Sequence, residues 1–258
     1  MGETFPSIDF YKIHMLRRDR VKLVSIEGGI GSGKSTIAGI IENLVTDIEA
    51  NNGEKVYIVT EPVDEWINSK IKYEDGKELS ILDEYYMDPK KRAFGFQINA
   101  LMTRMKRMMN KLTDIVNSLP DDDSKVIIIV ERSPLSDRHC FAQINYEVGN
   151  IDEREMTIYL ELYNFVMNTF RLLIPDYILY LRVPPEECEK RIAFRQRTAE
   201  SGISFDYLQK LHSRHETWLT DDSLNIPVMQ IDGMLSFHKD TDVMHTIYND
   251  INKFIKAS

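Results

Sequence analysis

The sequence lacks most features that mark secreted, membrane and nucleic-acid-binding proteins. It has only two cysteines among 258 residues, Cys140 and Cys188, with no CxxC pair and no histidine at a zinc-ligand spacing. We therefore predict reduced thiols and no structural zinc site. No apolar run of about 18 residues occurs, so no membrane span is expected. The net charge of −9 argues against nucleic-acid binding through bulk positive charge.

The N-terminus also lacks the apolar core of a signal peptide. Arg17, Arg18 and Arg20 give it positive charge, but acidic residues lie among them, whereas transit peptides are poor in acidic residues. We expect residues 1–20 to form a tail. We expect the protein in the cytoplasm, with the mitochondrion as the alternative.

Short apolar runs alternate with longer helical patterns from residue 21 onward, without repeats or linker-like stretches. This alternation predicts an α/β fold, a five-stranded parallel sheet flanked by helices, with ligands at the carboxyl ends of the strands. We predict one domain, 21–258. Strands are expected at 21–26, 56–60, 126–130, 177–183 and 226–231, and helices at 34–50, 90–117, 152–173, from 184, at 205–220 and at 240–256, with short helices and loops at 64–88.

A glycine-rich segment after the first predicted strand matches the P-loop pattern, Gly-x4-Gly-Lys-Ser. Glycines let successive backbone N–H groups turn toward an anion, and the helix that follows adds the positive end of its dipole. We expect Lys34 to reach the β- and γ-phosphates of a nucleoside triphosphate and Ser35 to offer a hydroxyl to Mg²⁺. The predicted phosphate-binding residues are Gly28, Gly29, Ile30, Gly31, Ser32, Gly33, Lys34, Ser35 and Thr36.

Charged residues follow two further strands. Glu61 comes after the second predicted strand, and Glu131 and Arg132 come after the third. In a parallel sheet these strand ends lie beside the P-loop, so a base, a metal ligand and a positive charge would converge on the phosphates. The alternative is that Glu131 and Arg132 form a structural ion pair.

A guanine-reading Asn-Lys-x-Asp motif is absent, since Asn110-Lys111 is not followed by the aspartate. A compact kinase of a small substrate fits better than a GTPase.

Several further strings occur in an order and spacing that resembles the deoxynucleoside kinases, most closely the deoxycytidine and deoxyguanosine kinase branch. The resemblance runs from about Val21 to Asp232. The strings are Ile26-Glu27-Gly28, Glu61-Pro62-Val63 followed by Trp66, Phe94-Gly95-Phe96-Gln97, Glu131-Arg132-Ser133, Ser136-Asp137-Arg138, Arg191-x3-Arg195-x-Arg197, and the segment from Tyr207 to Leu219.

The resemblance implies a P-loop kinase fold with an arginine-rich lid, a homodimer, Mg²⁺, and ATP or another nucleoside triphosphate as donor. It implies that Glu61 accepts the proton of a nucleoside 5′-hydroxyl. It also implies that Arg132 lies near the 5′-oxygen and that Glu131 is associated with Mg²⁺. The lid arginines, Arg191, Arg195 and Arg197, would close over the transferred phosphoryl group.

The same resemblance assigns residues to the nucleoside. Gln97 would pair with the edge of the base, and Tyr86 and Glu200 would hold the 3′-hydroxyl. Apolar contacts to sugar and base would come from Ile30, Trp66, Leu82, Phe96 and Phe141.

Helical spacing supports part of this assignment. Gln97, Ala100 and Arg104 share one face of the long predicted helix, and the small alanine between two polar side chains leaves room for a flat ring. The alternative is a solvated helix face. For the lid, the alternative is a charged surface in which Arg191 and Arg195 pair with nearby glutamates. A neighbouring stripe, Leu101, Met105, Met108 and Leu112, has the spacing of a packing face, within the chain or against a second subunit.

Two residues bear on which base is accepted. In this family, branches that take cytosine and purines carry an arginine on the long helix and an aspartate after the Glu-Arg-Ser string, as Arg104 and Asp137 do here. We therefore expect deoxycytidine and purine deoxynucleosides as substrates and thymidine as a poor one. The loop itself departs from the family, whose usual Asn-x-Ala-Ala is replaced by Gly29-Ile30-Gly31-Ser32.

Two other functions compete with this interpretation. A thymidylate or other nucleoside-monophosphate kinase would also combine a P-loop with a Glu-Pro element, but Glu61 would repel the phosphate of such an acceptor. A kinase-like subunit without activity would not need Lys34, Ser35, Glu61 and Arg132 together.

Overall fold

The computed structural model describes residues 20–42, 55–118, 125–195, 200, 202–235 and 240–256. Five parallel strands form the main sheet, in the order β2-β5-β1-β6-β7, and β3 and β4 form a separate antiparallel pair. This confirms the predicted α/β fold with a five-stranded parallel sheet. The strands are β1 (Val21–Glu27), β2 (Lys55–Val59), β3 (Lys70–Lys72), β4 (Glu78–Ser80), β5 (Val126–Glu131), β6 (Tyr177–Arg182) and β7 (Val228–Asp232).

Helices connect the strands and cover both faces of the sheet. They are α1 (34–42), α2 (Val63–Asn68), α3 (Ile81–Met87), α4 (Pro89–Ser118), α5 (Pro134–Ser136), α6 (Gln143–Glu147), α7 (Glu153–Thr169), α8 (Pro185–Arg195), α9 (Phe205–Leu219) and α10 (Thr241–Lys256). A π-helical segment, Asp137–Ala142, joins α5 to α6, and a 3₁₀ turn, Arg171–Leu173, follows α7. The predicted helix at 152–173 is therefore this pair of elements.

The strand order determines where the site forms. β5 is buried along its whole length and lies between β1 and β2, as expected for the most apolar strand. The P-loop follows β1, Glu61 follows β2, and Glu131 ends β5. Three neighbouring strands therefore end at one edge, with the candidate residues on consecutive loops.

The long helix α4 packs against the chain itself. Two apolar clusters of the protein core include residues of this helix, namely Leu101, Met108 and Leu112, and Met105 packs against both clusters. The predicted packing stripe thus needs no second subunit to cover it. Met102, one residue further round the helix, is 58% exposed.

The structure also shows a hairpin that the sequence pattern did not predict. β3 and β4 lie within 64–88, where only short helices and loops were expected. Each strand has three residues and is mostly polar, too short for an alternating apolar pattern to show. Gly76, with φ of 82°, allows the tight turn between them.

Two expectations fall partly outside the described residues. The predicted helix 34–50 is described as far as residue 42, and of the predicted N-terminal tail only Arg20 is described. The domain boundary at residue 21 stays a prediction. Within the described ranges, no helix combines the length and apolar character needed to cross a bilayer.

Candidate active site

The phosphate loop depends on three glycines. Gly28, Gly31 and Gly33 have φ values of 147°, 80° and 98°, a region that residues with a side chain rarely adopt. A Cβ atom on Gly31 would lie 2.7 Å from the carbonyl oxygen of Cys188, so space as well as conformation requires glycine there. The loop is thereby packed against α8 before any ligand arrives.

Lys34 begins the helix that follows the loop. Its Nζ donates to the carbonyl oxygens of Gly28 and Gly29, at 3.2 and 2.7 Å. Burial lowers the pKa of Lys34 to about 8, and the positive charge of Arg132 acts in the same direction. The ammonium group is thus held inside the loop, where a phosphate oxygen could replace the carbonyl oxygens as its partner.

Ser35 and Glu131 form a second pair beside the loop. The Ser35 hydroxyl donates to Glu131 Oε1 at 2.8 Å. One hydroxyl and one carboxylate suit Mg²⁺, which keeps several waters and takes phosphate oxygens as further ligands. No group of three or more His, Cys, Asp or Glu side chains suited to hold a metal ion occurs in the described ranges.

A buried cluster of charges lies next to this pair. Arg104 binds Asp137 through two hydrogen bonds, from Nε at 2.8 Å and from Nη2 at 3.0 Å, and its Nη2 also donates to Glu61 Oε1 at 3.0 Å. Arg132 Nε lies 3.3 Å from the same Glu61 oxygen. Burial by itself would raise the pKa of Glu61, but the positive charges of Arg132 and Arg104 outweigh burial and lower that pKa to about 2. Glu61 is consequently ionised at neutral pH.

This cluster bears on two alternatives that the sequence left open. Gln97, Ala100 and Arg104 are 1%, 3% and 2% exposed, so they do not form a solvated helix face. Arg132 pairs with Glu61, and the carboxylate of Glu131 binds Ser35, which differs from a simple Glu131–Arg132 ion pair.

Arg132 is held in a strained backbone conformation. It has φ of 63°, and its N–H donates to the carbonyl of Ile26 at 3.0 Å. On its other side, Ser133 donates from its N–H and its hydroxyl to Glu27 Oε1, at 2.8 and 2.7 Å. Burial raises the pKa of Glu27 in spite of these hydrogen bonds. The hydrogen bonds of Arg132 to Ile26 and of Ser133 to Glu27, both at the end of β1, thus fix the turn and with it the direction of the Arg132 side chain.

These charged groups lie at one end of a cavity of about 410 Å³. The volume suits a small molecule such as a nucleoside. The predicted residues that line it are Ile30, Gly31, Lys34, Ser35, Glu61, Trp66, Leu82, Tyr86, Phe96, Gln97, Ala100, Arg104, Glu131, Arg132, Asp137, Phe141, Arg195 and Glu200.

Aromatic rings form one wall of the cavity. Phe96 stacks on Tyr85 with ring centroids 4.5 Å apart. Trp66 and Phe96 pack edge to face, with ring centroids 5.4 Å apart. The indole N–H of Trp66 donates to Thr103 at 2.8 Å, which fixes the ring. These orientations leave a slot that suits a flat, apolar-faced ring.

Gln97 supplies an unsatisfied polar atom in this slot. Its side chain is buried, yet its Oε1 has no hydrogen-bond partner within the described part of the chain. A buried acceptor without a partner costs about 1–3 kcal/mol, so it is expected to be satisfied by a ligand donor.

The predicted lid residues separate into two positions. Arg195 lines the cavity and pairs with Glu200. Arg191 instead donates to the carbonyl oxygens of Ser32 and Gly233, at 3.0 and 2.9 Å, and to Glu187 at 2.9 Å. The alternative was that Arg191 and Arg195 only pair with nearby glutamates on a charged surface. Of the contacts described, only the Arg191–Glu187 pair is of that kind. Arg197 lies outside the described residues.

Several cavity residues were not predicted. They include Tyr85 and Tyr207, as well as Thr60, Val63, Asp64 and Ile67. Arg107, outside the cavity lining, was missed too: its Nη1 donates to the carbonyl oxygen of Glu61 at 3.2 Å and its Nε to Glu65 at 3.1 Å. A signal existed for it, since Arg107 lies one turn after Arg104 on the same helix.

The lowered pKa of Lys34 gives a prediction about proton uptake. Well above pH 8 the free protein has lost much of the Lys34 proton, and a bound triphosphate restores it. We expect ATP binding, with no acceptor present, to take up close to one proton about one pH unit above 8 and almost none at neutral pH. Calorimetry in two buffers of different ionisation enthalpy measures this.

The matched control is Lys190→Ala, which removes an exposed lysine from α8 and should leave the uptake unchanged. Lys34→Ala should abolish it. Equal uptake in wild type and Lys34→Ala would contradict the assignment.

Comparison with known proteins agrees with this geometry. The family model described as "Deoxynucleoside kinase" matches residues 24–256. The chain is 32% identical over 256 residues to a deoxycytidine kinase of Rattus norvegicus, covering 93% of both chains. It is 34% identical over 255 residues to the deoxycytidine kinase of Homo sapiens, covering 92% of each. It is 31% identical over 253 residues to a mitochondrial deoxyguanosine kinase of Xenopus laevis, covering 92% of this chain and 89% of the relative. The chain belongs to the deoxynucleoside kinase family and is a phosphotransferase.

Proposed function

We propose that this kinase transfers the γ-phosphate of ATP, or of another nucleoside triphosphate, to the 5′-hydroxyl of deoxycytidine and of purine deoxynucleosides, for nucleotide salvage. Thymidine is a poor substrate. The observation that carries the proposal is the buried, unpartnered Oε1 of Gln97, in an aromatic slot beside the Arg104–Asp137 pair.

Gln97 orients the base without selecting one. Its amide offers one acceptor and two donors, which can match the adjacent donor and acceptor on the edge of a cytosine or, with the amide turned over, of a guanine. Selection against thymine falls to Arg104 and Asp137. Their bidentate pair is buried at 2% and 1% exposure, so it cannot move aside for the C5 methyl group of thymine without leaving buried charges unpaired.

The charged end of the cavity carries the transfer. Glu61 accepts the hydrogen bond of the 5′-hydroxyl and then its proton, and Arg132 neutralises charge on the transferred group. Lys34 and Arg195 bind phosphate oxygens, and Arg191 fixes the phosphate loop through the Ser32 carbonyl. Ser35 and Glu131 would hold Mg²⁺, which would neutralise part of the negative charge of the triphosphate.

Tyr86 and Glu200 hold the 3′-hydroxyl. Burial raises the pKa of Tyr86, and the neighbouring Tyr85 and Glu200 add to that rise, so its phenol stays protonated and able to donate. Glu200 is buried and already bound to Arg195. A sugar hydroxyl placed between them would connect the nucleoside to the lid.

The two competing functions have less support. A nucleoside-monophosphate acceptor would bring its phosphate against Glu61, which is ionised and shared by two arginines. A subunit without activity would not need to keep a buried Lys34 beside the hydrogen-bonded Ser35–Glu131 pair at the same edge of the sheet.

Changing Glu61 to Gln tests the proposed base. Gln keeps the shape and an acceptor oxygen for both arginines but cannot take a proton. We expect kcat to fall about 10²- to 10⁴-fold while the Kd for deoxycytidine changes little, because a base acts in the transition state. Steady-state kinetics and equilibrium titration measure the two quantities.

Glu78→Gln, on the exposed β3–β4 hairpin, is the control and should behave as wild type. A near-normal kcat in Glu61→Gln would refute the assignment.

A panel of the four deoxynucleosides tests the base preference. We expect deoxycytidine and the purine deoxynucleosides to exceed thymidine in kcat/KM. In the double variant Arg104→Met, Asp137→Ala we expect kcat/KM for thymidine to rise roughly 10- to 200-fold, the range that one methyl group in a pocket is worth. Both residues are changed together because Arg104→Met alone would leave the buried Asp137 carboxylate without its arginine partner. If thymidine were the best substrate of the wild type, the proposed base preference would be refuted.

We propose a homodimer formed through α4 and α7. These helices pack together and carry Met102, Ile158 and Phe165, which are 58%, 47% and 63% exposed. Large apolar side chains exposed on adjoining helices are typical of an interface. The cytoplasm is the proposed location, with the mitochondrion as the alternative.

The dimer proposal predicts the effect of one charge. Phe165→Glu should convert the protein to a monomer at low micromolar concentration, because a carboxylate is costly to bury in an apolar interface. Light scattering after size exclusion measures the mass. Met87→Glu, at an equally exposed methionine on α3, should leave the mass unchanged. A monomeric wild type would refute the dimer.

A further inference from the structure

Arg132 is surrounded on several sides of its guanidinium group. The side chain is 1% exposed, its Nε faces Glu61, and its Cζ lies 4.7 Å from the centre of the Phe141 ring. Its Nη1 lies 3.4 Å from Nε2 of His215. Among the described residues, this imidazole is the hydrogen-bond partner of the Arg132 side chain.

The hydrogen bonds of His215 determine which ring nitrogen carries the proton. Nδ1 lies 2.7 Å from the carbonyl oxygen of Leu211, one turn earlier in α9. A carbonyl oxygen only accepts, so Nδ1 must donate. An arginine N–H only donates, so Nε2 must accept, which requires that it carry no proton. Burial and the charge of Arg132 hold the pKa of His215 well below its usual range, in agreement with a neutral ring.

The ring is fixed from behind by α9 and β6. Glu216, the next residue, accepts a hydrogen bond from the Tyr180 hydroxyl at 2.5 Å and two from Arg182 at 2.9 and 2.7 Å. The His215 ring lies nearly parallel to the Tyr180 ring, with centroids 6.2 Å apart, and is 0% exposed. The imidazole therefore has a single orientation, with Nε2 toward Arg132.

We propose that His215 is a positioning residue for the transfer step: as the neutral Nδ1–H tautomer it accepts a hydrogen bond from Arg132 and fixes the direction of that guanidinium. The proposal rests on the role given above to Arg132. Without the acceptor, the guanidinium keeps its charge and its contacts to Glu61 and Phe141, but rotation about the bonds of its aliphatic stem can tilt the whole planar group. Misplacement of this kind lowers kcat more than it changes substrate affinity.

Two substitutions separate positioning from packing. His215→Phe keeps a ring between Tyr180 and Arg132 but has no acceptor. His215→Gln places an amide oxygen near the position of Nε2. We expect kcat to fall about 10- to 100-fold in the Phe variant with both KM values within about 3-fold. We expect the Gln variant to return to within about 5-fold of wild type. His212→Phe, three residues earlier on α9, is the matched control and should leave kcat unchanged.

A wild-type kcat in His215→Phe would overturn the proposal. So would equal losses of kcat in the Phe and Gln variants accompanied by equal losses in Tm, which would show a packing role. Arg132→Ala distinguishes this failure from that of the proposed function: if Arg132→Ala keeps its kcat, the role of Arg132 itself is wrong.

The tautomer can be read without any variant. A ¹⁵N–¹H correlation spectrum of the histidine rings in the wild-type enzyme should assign the proton of His215 to Nδ1. A proton on Nε2 would overturn the proposal even if the Phe variant does not fold.

Discussion

The carboxylate of Glu61 is shared by two buried guanidinium groups, and the rest of the site depends on this interaction. Arg104 reaches it from the long helix α4, and Arg132 reaches it from the end of β5. Asp137 binds the other side of Arg104. Removing one partner from a buried ion pair destabilises a protein by about 3–5 kcal/mol. The contacts among these charges therefore hold α4, the end of β5 and the π-helical segment in one relative arrangement. The same arrangement forms the charged end of the cavity.

The sheet makes this arrangement available. Because β5 lies between β1 and β2, the phosphate loop, Glu131 and Glu61 occupy neighbouring strand ends. Arg132 must turn toward the cavity immediately after β5, and it does so at φ of 63°. Such a conformation persists only where the surroundings over-determine it. Here the contacts of the turn to Ile26 and Glu27 hold it, so Arg132 would need little reorganisation to meet a phosphate in the proposed transfer.

Sequence reasoning predicted the fold and most residues of this cavity for a physical reason. The P-loop and the charges at strand ends are local patterns, and parallel topology brings them to one edge. Tyr85 was not predicted as a cavity residue because nothing in the local sequence distinguishes it from a core tyrosine. The β3–β4 hairpin was not predicted because its strands are short and mostly polar. The contact of His215 with Arg132 joins residues far apart in the chain, and no periodicity within α9 reveals it. Long-range side-chain contacts of this type need coordinates.

A pKa of about 2 for Glu61 raises the question of how so weak a base could serve the proposed transfer. Phosphoryl transfer passes through a loose transition state in most analyses, in which the acceptor hydroxyl is still largely protonated. Removal of its proton is then late, and position matters more than basicity. As the hydroxyl forms its bond to phosphorus its own pKa falls steeply, so an ionised carboxylate at hydrogen-bond distance suffices. The two arginines that would weaken Glu61 as a base also keep it ionised and oriented, and in the proposed transfer Arg132 would face the phosphoryl group as charge develops there. A stronger base at this position would need fewer cations, and the site would lose transition-state stabilisation in exchange.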